Sequence, residues 1–524
     1  MKNYNFKVFC ITALITLGLV SCNKDLNRLP LNSITASTAL NSAAGYKLLL
    51  AKVYGAYSLT SSTGVGNSDL AGIDAGTSDF LRLYWNAEEL PTDEAACIWN
   101  DPGIQDFHNM NWSSSNVILL GLYVRSIYQI TVANAFIAQS SDAAIKGFSS
   151  DDQTNIRYYR AEARFLRAYQ YWVLMDMFGN PPFVDENSPI GGTSPKQISR
   201  AALFAYIEAE LKAIDPLLAA PHKNEYGRAD EAADWALQAR MFLNAEVYLG
   251  TGKGRYTDAM TYAQKVIDAG YTLMPNYQNL FLADNNLNNP EVILSINYDG
   301  VNSQNNGGTT FIINSSISAA MDAAAFGVPD GGWAGNRATQ ALPTLFTGST
   351  ETTDSRNLFY STGHTLNMDT LQSFTSGYAT TKWKNVTSAG VTPPSANGVY
   401  CSTDFPLFRL GEIYLIYAEA SLRAGTNTGT GLTYYNLVRA RAGATSANAI
   451  SLGDILNERG REMYWEATRR TDLIRYNLFT PDTYLWAFKG GVSAGKGVES
   501  FRNLYPIPSN DITSNNNLTQ NTGY

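Results

Sequence analysis

Apolar positions recur every three to four residues along several long stretches of the chain, and these stretches come in pairs. The spacing predicts helices over residues 37–59 and 117–140, separated by a long insert. The strongest amphipathic run covers 156–178. Gly179 closes it and Pro181-Pro182 follow, a stop signal because glycine takes the left-handed cap and proline cannot extend a helix. Its partner falls over 200–219. A third pair, 231–249 and 256–269, is joined by Gly250-Thr251-Gly252-Lys253-Gly254; a fourth covers 409–424 and 432–442, with one more helix over 451–466. In the third pair Ala236, Ala239 and Ala245 alternate with Trp235, Phe242 and Tyr248, and Ala259 and Ala263 recur on the second helix. Small residues let two helices approach closely while aromatics fill the gaps, as in stacked helix pairs of the tetratricopeptide kind. Helical periods fade over 61–116, 270–405 and 480–524, where Gly, Asn, Ser, Thr and aromatics dominate; Glu291 to Asn297 reads as a short strand. The expected fold is mainly α: a TPR-like superhelix of helix pairs with loop-rich inserts and little β structure.

The first residues follow another pattern. Lys2 and Lys7 flank the start of an apolar run, Val8 to Val20, interrupted only by Thr12, Thr16 and Gly18. That length suits a signal-peptide core and falls short of the roughly 20 apolar residues of a spanning helix. The run ends in Leu19-Val20-Ser21-Cys22, which resembles a bacterial lipoprotein signal. The resemblance implies removal of residues 1–21, a lipidated Cys22, and a single mature unit over 22–524. A diacylglycerol plus an N-acyl chain exceeds the two-chain threshold for stable anchoring. No later segment reads as a bilayer span. Losing residues 1–21 removes two lysines and no acid, so the formal charge moves from −8 to −10. Such an acidic chain, without a basic run, excludes nucleic acid as a partner and leaves the lipid to hold the protein on a membrane.

Candidate chemistry is sparse. Cys97 and Cys401 could pair or remain free, and His108, His222 and His364 are too scattered for a zinc site, so neither metal nor cofactor is expected. No phosphate-binding loop or His-Glu-x-x-His occurs. A glycosidase needs two carboxylates facing across a cleft. The densest acidic stretch, Glu88-Glu89-Leu90-Pro91-Thr92-Asp93-Glu94, sets adjacent side chains in different directions, so no catalytic residue is assigned. Sugar binding asks for aromatic faces that stack on C–H groups and planar donors that meet hydroxyls. Tyr158, Tyr159, Tyr169 and Tyr171 fall in a helix and read as packing. Trp85, Trp99, Trp112, Trp333 and Trp383 stand in polar loop sequence and are the better candidates.

Several stretches, in order along the whole chain, resemble the SusD family of outer-membrane glycan-binding lipoproteins. They are Arg160-Ala161-Glu162-Ala163-Arg164-Phe165-Leu166-Arg167 running on to Phe178-Gly179-Asn180-Pro181-Pro182, Arg409-Leu410-Gly411-Glu412 through Ala420, Glu458-Arg459-Gly460-Arg461-Glu462, and Leu504-Tyr505-Pro506-Ile507-Pro508. Glu89 to Glu94, Asp299-Gly300-Val301, Gly307-Gly308-Thr309-Thr310 and Lys382-Trp383 are similar to loops of the family's starch-binding member. There an arc of aromatics cradles an α-glucan with help from an arginine and an asparagine. The matching positions here are Arg82, Trp99 and Trp333, with Asn100 or, one residue on, Asp101 in the asparagine's place. A tyrosine of the arc falls at Asn306 and a loop tryptophan at Cys97; Phe311 and Tyr298 are the candidates to replace them. The resemblance implies capture of oligosaccharides, starch-derived malto-oligosaccharides foremost, at the outer-membrane surface, and transfer to a SusC-like TonB-dependent transporter, without catalysis. The competing expectation is a helical scaffold of that transporter that binds no sugar, or a binder of a different glycan. Arg160, Glu162, Arg164 and Arg167 read as scaffold ion pairs, and Asp284 as a polar-loop residue that leaves a structural cation undecided.

Overall fold

The computed structural model describes residues 40–189, 191, 193–348 and 353–524; the leader and Cys22 lie outside them. In chain order its main helices are α1 (Ala43–Ser58), α2 (Phe80–Glu89), α3 (Ile104–Asn109), α4 (Val117–Gln139), α5 (Ser150–Phe178), α6 (Arg200–Ile214), α7 (Glu231–Leu243), α8 (Tyr256–Asp268), α9 (Gly308–Ser316), α10 (Leu410–Ala424), α11 (Thr428–Arg441), α12 (Leu452–Met463) and α13 (Arg469–Arg475). The strands are short: β1 (Ala95–Cys97), β2 (Val292–Ile296), β3 (Asn336–Ala338), β4 (Phe359–Tyr360), β5 (Ala379–Thr380) and β6 (Phe405–Arg409). They pair antiparallel as β1–β3, β2–β6 and β4–β5.

The helices begin where side chains satisfy their first free N–H groups. Ser42 accepts from Gly45, Ser149 from Asp152 and Asp230 from Ala233, while Ser451 and Asp454 form a reciprocal capping box. Helix α5 stops at Gly179, whose φ of +74° is costly for a residue with a Cβ. The four expected pairs stand: α1 with α4, α5 with α6, α7 with α8, and α10 with α11. Helices α4 on α5 and α8 on α10 continue the stack. Ala232, Ala233, Ala236, Ala239, Ala259 and Ala263 are fully buried where α7 meets α8, the close approach their spacing predicts. Helix α4 is long and apolar enough to cross a bilayer, which the sequence reading did not register; Leu122, Ile130 and Phe136 on it are buried in the core.

Three differences from the sequence reading have local causes. The run 231–249 breaks at Asn244, whose amide donates to the Arg240 carbonyl and accepts from Arg475, competing with the helical ladder. Helix α11 begins at Thr428, four residues before the expected start. Helices α2, α3, α9 and α13 lie in stretches without a visible helical period. Helix α2 shows why: it is only ten residues long, too short for its period to stand out, and its polar residues Asn86, Glu88 and Glu89 are buried along with Phe80, Leu81, Leu83, Tyr84, Trp85 and Ala87.

The loop-rich inserts are bolted to the helices by buried charge. Arg409, at the end of β6, bonds Glu291, Glu462 and Glu466; Arg356 bonds Asp354 and Glu462; Lys382 bonds Glu466. Arg409 and Glu462 belong to the Arg409–Glu412 and Glu458–Glu462 stretches. The expected scaffold pairs also form: Arg160–Asp142, Glu162–Arg228, Arg164–Glu210 and Arg167–Glu186. Cys97 and Cys401 are both free thiols, and burial pushes each up to about 12. Asp284 accepts from the backbone and hydroxyl of Ser388, which gives it a loop-closing role, and no metal-ligating cluster occurs among the described residues.

Candidate functional site

Arg82 sits in the first turn of α2, and the capping of that helix fixes where it points. Asp79, buried at the N-cap, accepts from Arg82 N–H at 2.9 Å and from Gly308 N–H, at the start of α9, at 2.8 Å. One carboxylate thereby caps two helices. A Cβ at Gly307 would overlap Asp79, and one at Gly308 would overlap the Tyr298 ring, so the glycine pair lets α9 begin against α2. This junction sets Asn306 beside Arg82, whose Nη1 donates to the Asn306 carbonyl at 3.2 Å. From α4, buried Arg125 donates to Thr60 and Ser78 carbonyls and ties both ends of the 60–78 loop.

The aromatic side comes from β1 and β3. Ile98, just past β1, donates to the Gly335 carbonyl, and a Cβ at Gly335 would overlap the Trp99 ring, so Trp99 lies directly on that backbone. Gly331 and Gly332 turn the chain with φ of +99° and +69°, and Trp333, Ala334 and Gly335 donate to carbonyls at the end of α9. The Trp99 and Trp333 rings stand 6.3 Å apart at 48°, and the Arg82 guanidinium lies 5.8 Å from Trp99 and 4.8 Å from Phe311.

Arg82, Asn306 and Trp333 line one open cavity of about 560 Å³, with Asp74, Asn305 and Tyr400 among the other walls. Trp99 stands behind it, against Trp333 and Arg82. Asn100 and Asp101 are exposed on the next loop; Asn100 does not line the cavity, while the Asp101 carboxylate acts on Arg82 electrostatically. Burial lowers the Arg82 pKa, and Asp101 and Asp74 oppose that effect, so the guanidinium stays charged. Its Nε is buried and has no hydrogen-bond partner among the described residues. A charged donor left so is a group that a bound acceptor would satisfy.

Two expected substitutes for the missing ring do not serve. Phe311 lies under Arg82 and Tyr298 against Gly308; at 1% and 6% exposure neither opens a face to the cavity. Tyr400, which the sequence reading passed over, is the second aromatic on the cavity wall, and nothing local in residues 391–400 marks it. Asp74 was also missed, although Asp74-Ala75-Gly76-Thr77 carried a signal: its carboxylate accepts from Thr77 N–H at 3.0 Å in an Asx-type turn. Three of the five loop tryptophans are core. Trp85 donates to the Trp465 carbonyl, Trp112 to the Tyr524 hydroxyl, and Trp383 stacks on Phe405 at 5.4 Å.

The acidic stretch after α2 faces inward. Asp93 takes a bidentate pair from Arg469, Glu94 accepts from Trp465 N–H and Glu89 from Ala467 N–H, all fully buried and away from the cavity. Burial raises Glu94 to about 7 and Glu88 to about 8. The cavity walls include a single carboxylate side chain, that of Asp74, so the facing pair that glycoside hydrolysis needs is not assembled there.

A sequence profile of the SusD family matches residues 347–524. The chain is 34% identical to the starch-binding protein SusD of Bacteroides thetaiotaomicron over 98% of either protein. Among solved structures, surface glycan-binding protein A of the same organism superposes with a TM-score of 0.72 at 20% identity, covering 93% of this chain and all of the other. The same protein in complex with laminarihexaose gives 0.69 at 21% identity, over 91% and 98%. These neighbours share the helix-pair fold. Identity along nearly the whole length of a curated relative, the matching profile and the shared fold together show that the chain belongs to the SusD family of non-catalytic glycan-binding proteins.

Proposed function

We propose that this protein captures oligosaccharides at the outer-membrane surface, starch-derived malto-oligosaccharides foremost, and passes them to a SusC-like TonB-dependent transporter while lipidated Cys22 tethers it. The observation that carries the reading is the convergence of a charged, incompletely bonded arginine with two aromatic residues and an amide on one open cavity. Arg82 and the Asn306 amide suit sugar hydroxyls, and the half-buried Trp333 ring suits a C–H face, while Tyr400, 8% exposed, closes the wall beside it. The long identity to a starch-binding relative supports the choice of α-glucan. Asn306 hydrogen-bonds where that relative's arc has a ring, so the stacking surface is smaller here. Such a surface gives affinity on the order of micromolar to millimolar, about −8 to −4 kcal/mol, and weak binding suits a protein that must release its cargo.

The test is isothermal titration and affinity electrophoresis with amylopectin, pullulan, dextran, laminarin, inulin and a mannan. Retardation by amylopectin and pullulan alone is the expected result. Binding to another member of the panel would reassign the glycan, and binding to none would favour a scaffold that stabilises the transporter.

A further inference from the structure

A second cleft, of about 950 Å³, opens well apart in sequence from the Arg82 cavity. Its walls come from the junction of α5 and α6, the turn before α8, the end of α13, and residues 500–504 and 519–522. Its charged side chains are engaged internally. Arg475 bonds Glu419, Asp472 and the Asn244 amide; Arg200 bonds the carbonyls of Met175, Asp176 and Val247; Glu246 accepts from Gly252 N–H and the Tyr256 hydroxyl. Arg475 is neutralised by two carboxylates, and Arg200 and Glu246, of opposite sign, already spend their hydrogen bonds on the chain's own groups, which leaves little to hold a phosphate or a carboxylate.

The groups left available are neutral. The Asn180 amide uses only its oxygen, on Arg200 N–H. Asn477, Ser500 and Thr522 are exposed on the cleft wall. Asn503 Oδ1 is buried without a partner, an acceptor that an outside donor would satisfy. Half-buried Tyr256 and Phe501 add ring surface. Amides, hydroxyls and rings left available beside charges whose hydrogen bonds are already made recognise a neutral polyhydroxylated molecule.

We propose that this cleft is a second binding site for neutral glycan, so that one chain holds a long polysaccharide at two points. The proposal shares its ligand class with the function above but none of its residues. Two attachments on one polymer raise retention without any stronger contact, because the second binding is intramolecular.

Titration calorimetry of the full mature chain with maltoheptaose and, separately, laminarihexaose tests it. Two molecules of maltoheptaose per chain are expected, falling to one in Trp99→Ala/Trp333→Ala and to one in Asn477→Gly/Ser500→Ala/Thr522→Ala. The combined variant should bind none. The three cleft positions are exposed, and Asn477 has φ of +55°, which glycine adopts freely, so folding is preserved. A single site that disappears with the two tryptophans overturns the cleft and leaves the Arg82 cavity standing. A single site that survives those changes and disappears with the cleft variant overturns the cavity instead. Binding of neither sugar overturns both.

Discussion

Helix α2 has two ends of opposite character. Near its C-terminus, Glu88, Glu89, Asp93 and Glu94 are buried among Arg469, Arg470 and the backbone of residues 465–471, and nearly every oxygen has a donor. At its N-terminus Arg82 also lies among rings and carboxylates, yet it bonds one carbonyl and keeps a buried N–H without a partner beside an open cavity. Both ends are dense in charge. Glu89 Oε2 and Arg470 Nε at the closed end also lack partners among the described residues, so what separates structure from binding is whether the gap lies beside an open cavity. A paired charge costs several kcal/mol to disturb, whereas an incompletely bonded one beside a cavity can take a ligand.

The sharpest way to break this comparison is to unsaturate the closed end. Arg469→Leu leaves Asp93 and Glu94 buried without their cation, and the expected loss is about 3–5 kcal/mol in unfolding free energy. Urea unfolding would read it, with glycan affinity of the folded fraction unchanged. A midpoint like the parent's would show that the acidic end is not held by its charges. At the open end the signature reverses. Trp333→Ala should weaken glycan binding by about 1–3 kcal/mol, as truncated ring anchors do, with little change in the unfolding midpoint. Full affinity in that variant would remove Trp333 from the site.

How far each end could be read from sequence follows from the same physics. Helix α8 was legible because it buries one face, and α5 and α7, buried nearly all round, were legible from their length, the alanine ridge and the stop at Gly179. Helix α2 was not, because its ten residues are too few for the period to stand out. Arg82, Trp99 and Trp333 were picked out only by likeness to a relative, since Trp85, Trp112 and Trp383 stand in equally polar sequence and turn out to be core. Tyr400 reaches the cavity from more than 300 residues beyond Arg82, so only tertiary closure reveals it. Asp74 is the exception, a loop residue whose turn chemistry was there to be read.

The two ends should also answer differently to pH. Glu88 is raised to about 8 and Glu94 to about 7, chiefly by burial, against an ordinary 4.5. Between pH 6.5 and 8 the folded protein therefore holds protons that the unfolded chain has released, and stability falls as pH rises, by up to about 1.4 kcal/mol per pH unit for each such group. His108, pushed down to about 3 by burial, works in the opposite sense only below its unfolded value of 6.5, outside this window. Glu88→Gln should flatten the slope measured by urea unfolding across pH 6.5–8. Glycan affinity should stay level, because Arg82 remains charged throughout. Glu94, Glu89 and Asp404 are raised by burial as well, so part of the slope should remain, and a slope wholly unchanged in Glu88→Gln would place the proton elsewhere.

The smallest expected effect sharpens the open end by adding to it. Asn306 is exposed on the cavity, and its carbonyl, not its side chain, receives Arg82. Asn306→Tyr therefore keeps that hydrogen bond while supplying a third ring beside Trp333 and Tyr400. An aromatic contact adds about 0.5–1.5 kcal/mol beyond the area it buries, so maltoheptaose should bind several-fold more tightly. Its competitor is the loss of the amide's own hydrogen bond to a sugar hydroxyl, worth about 0.5–1.5 kcal/mol. The sign of the change measured by calorimetry decides between them: tighter binding means the cavity is short of stacking surface, and weaker binding means Asn306 is itself a polar contact around which the site is built.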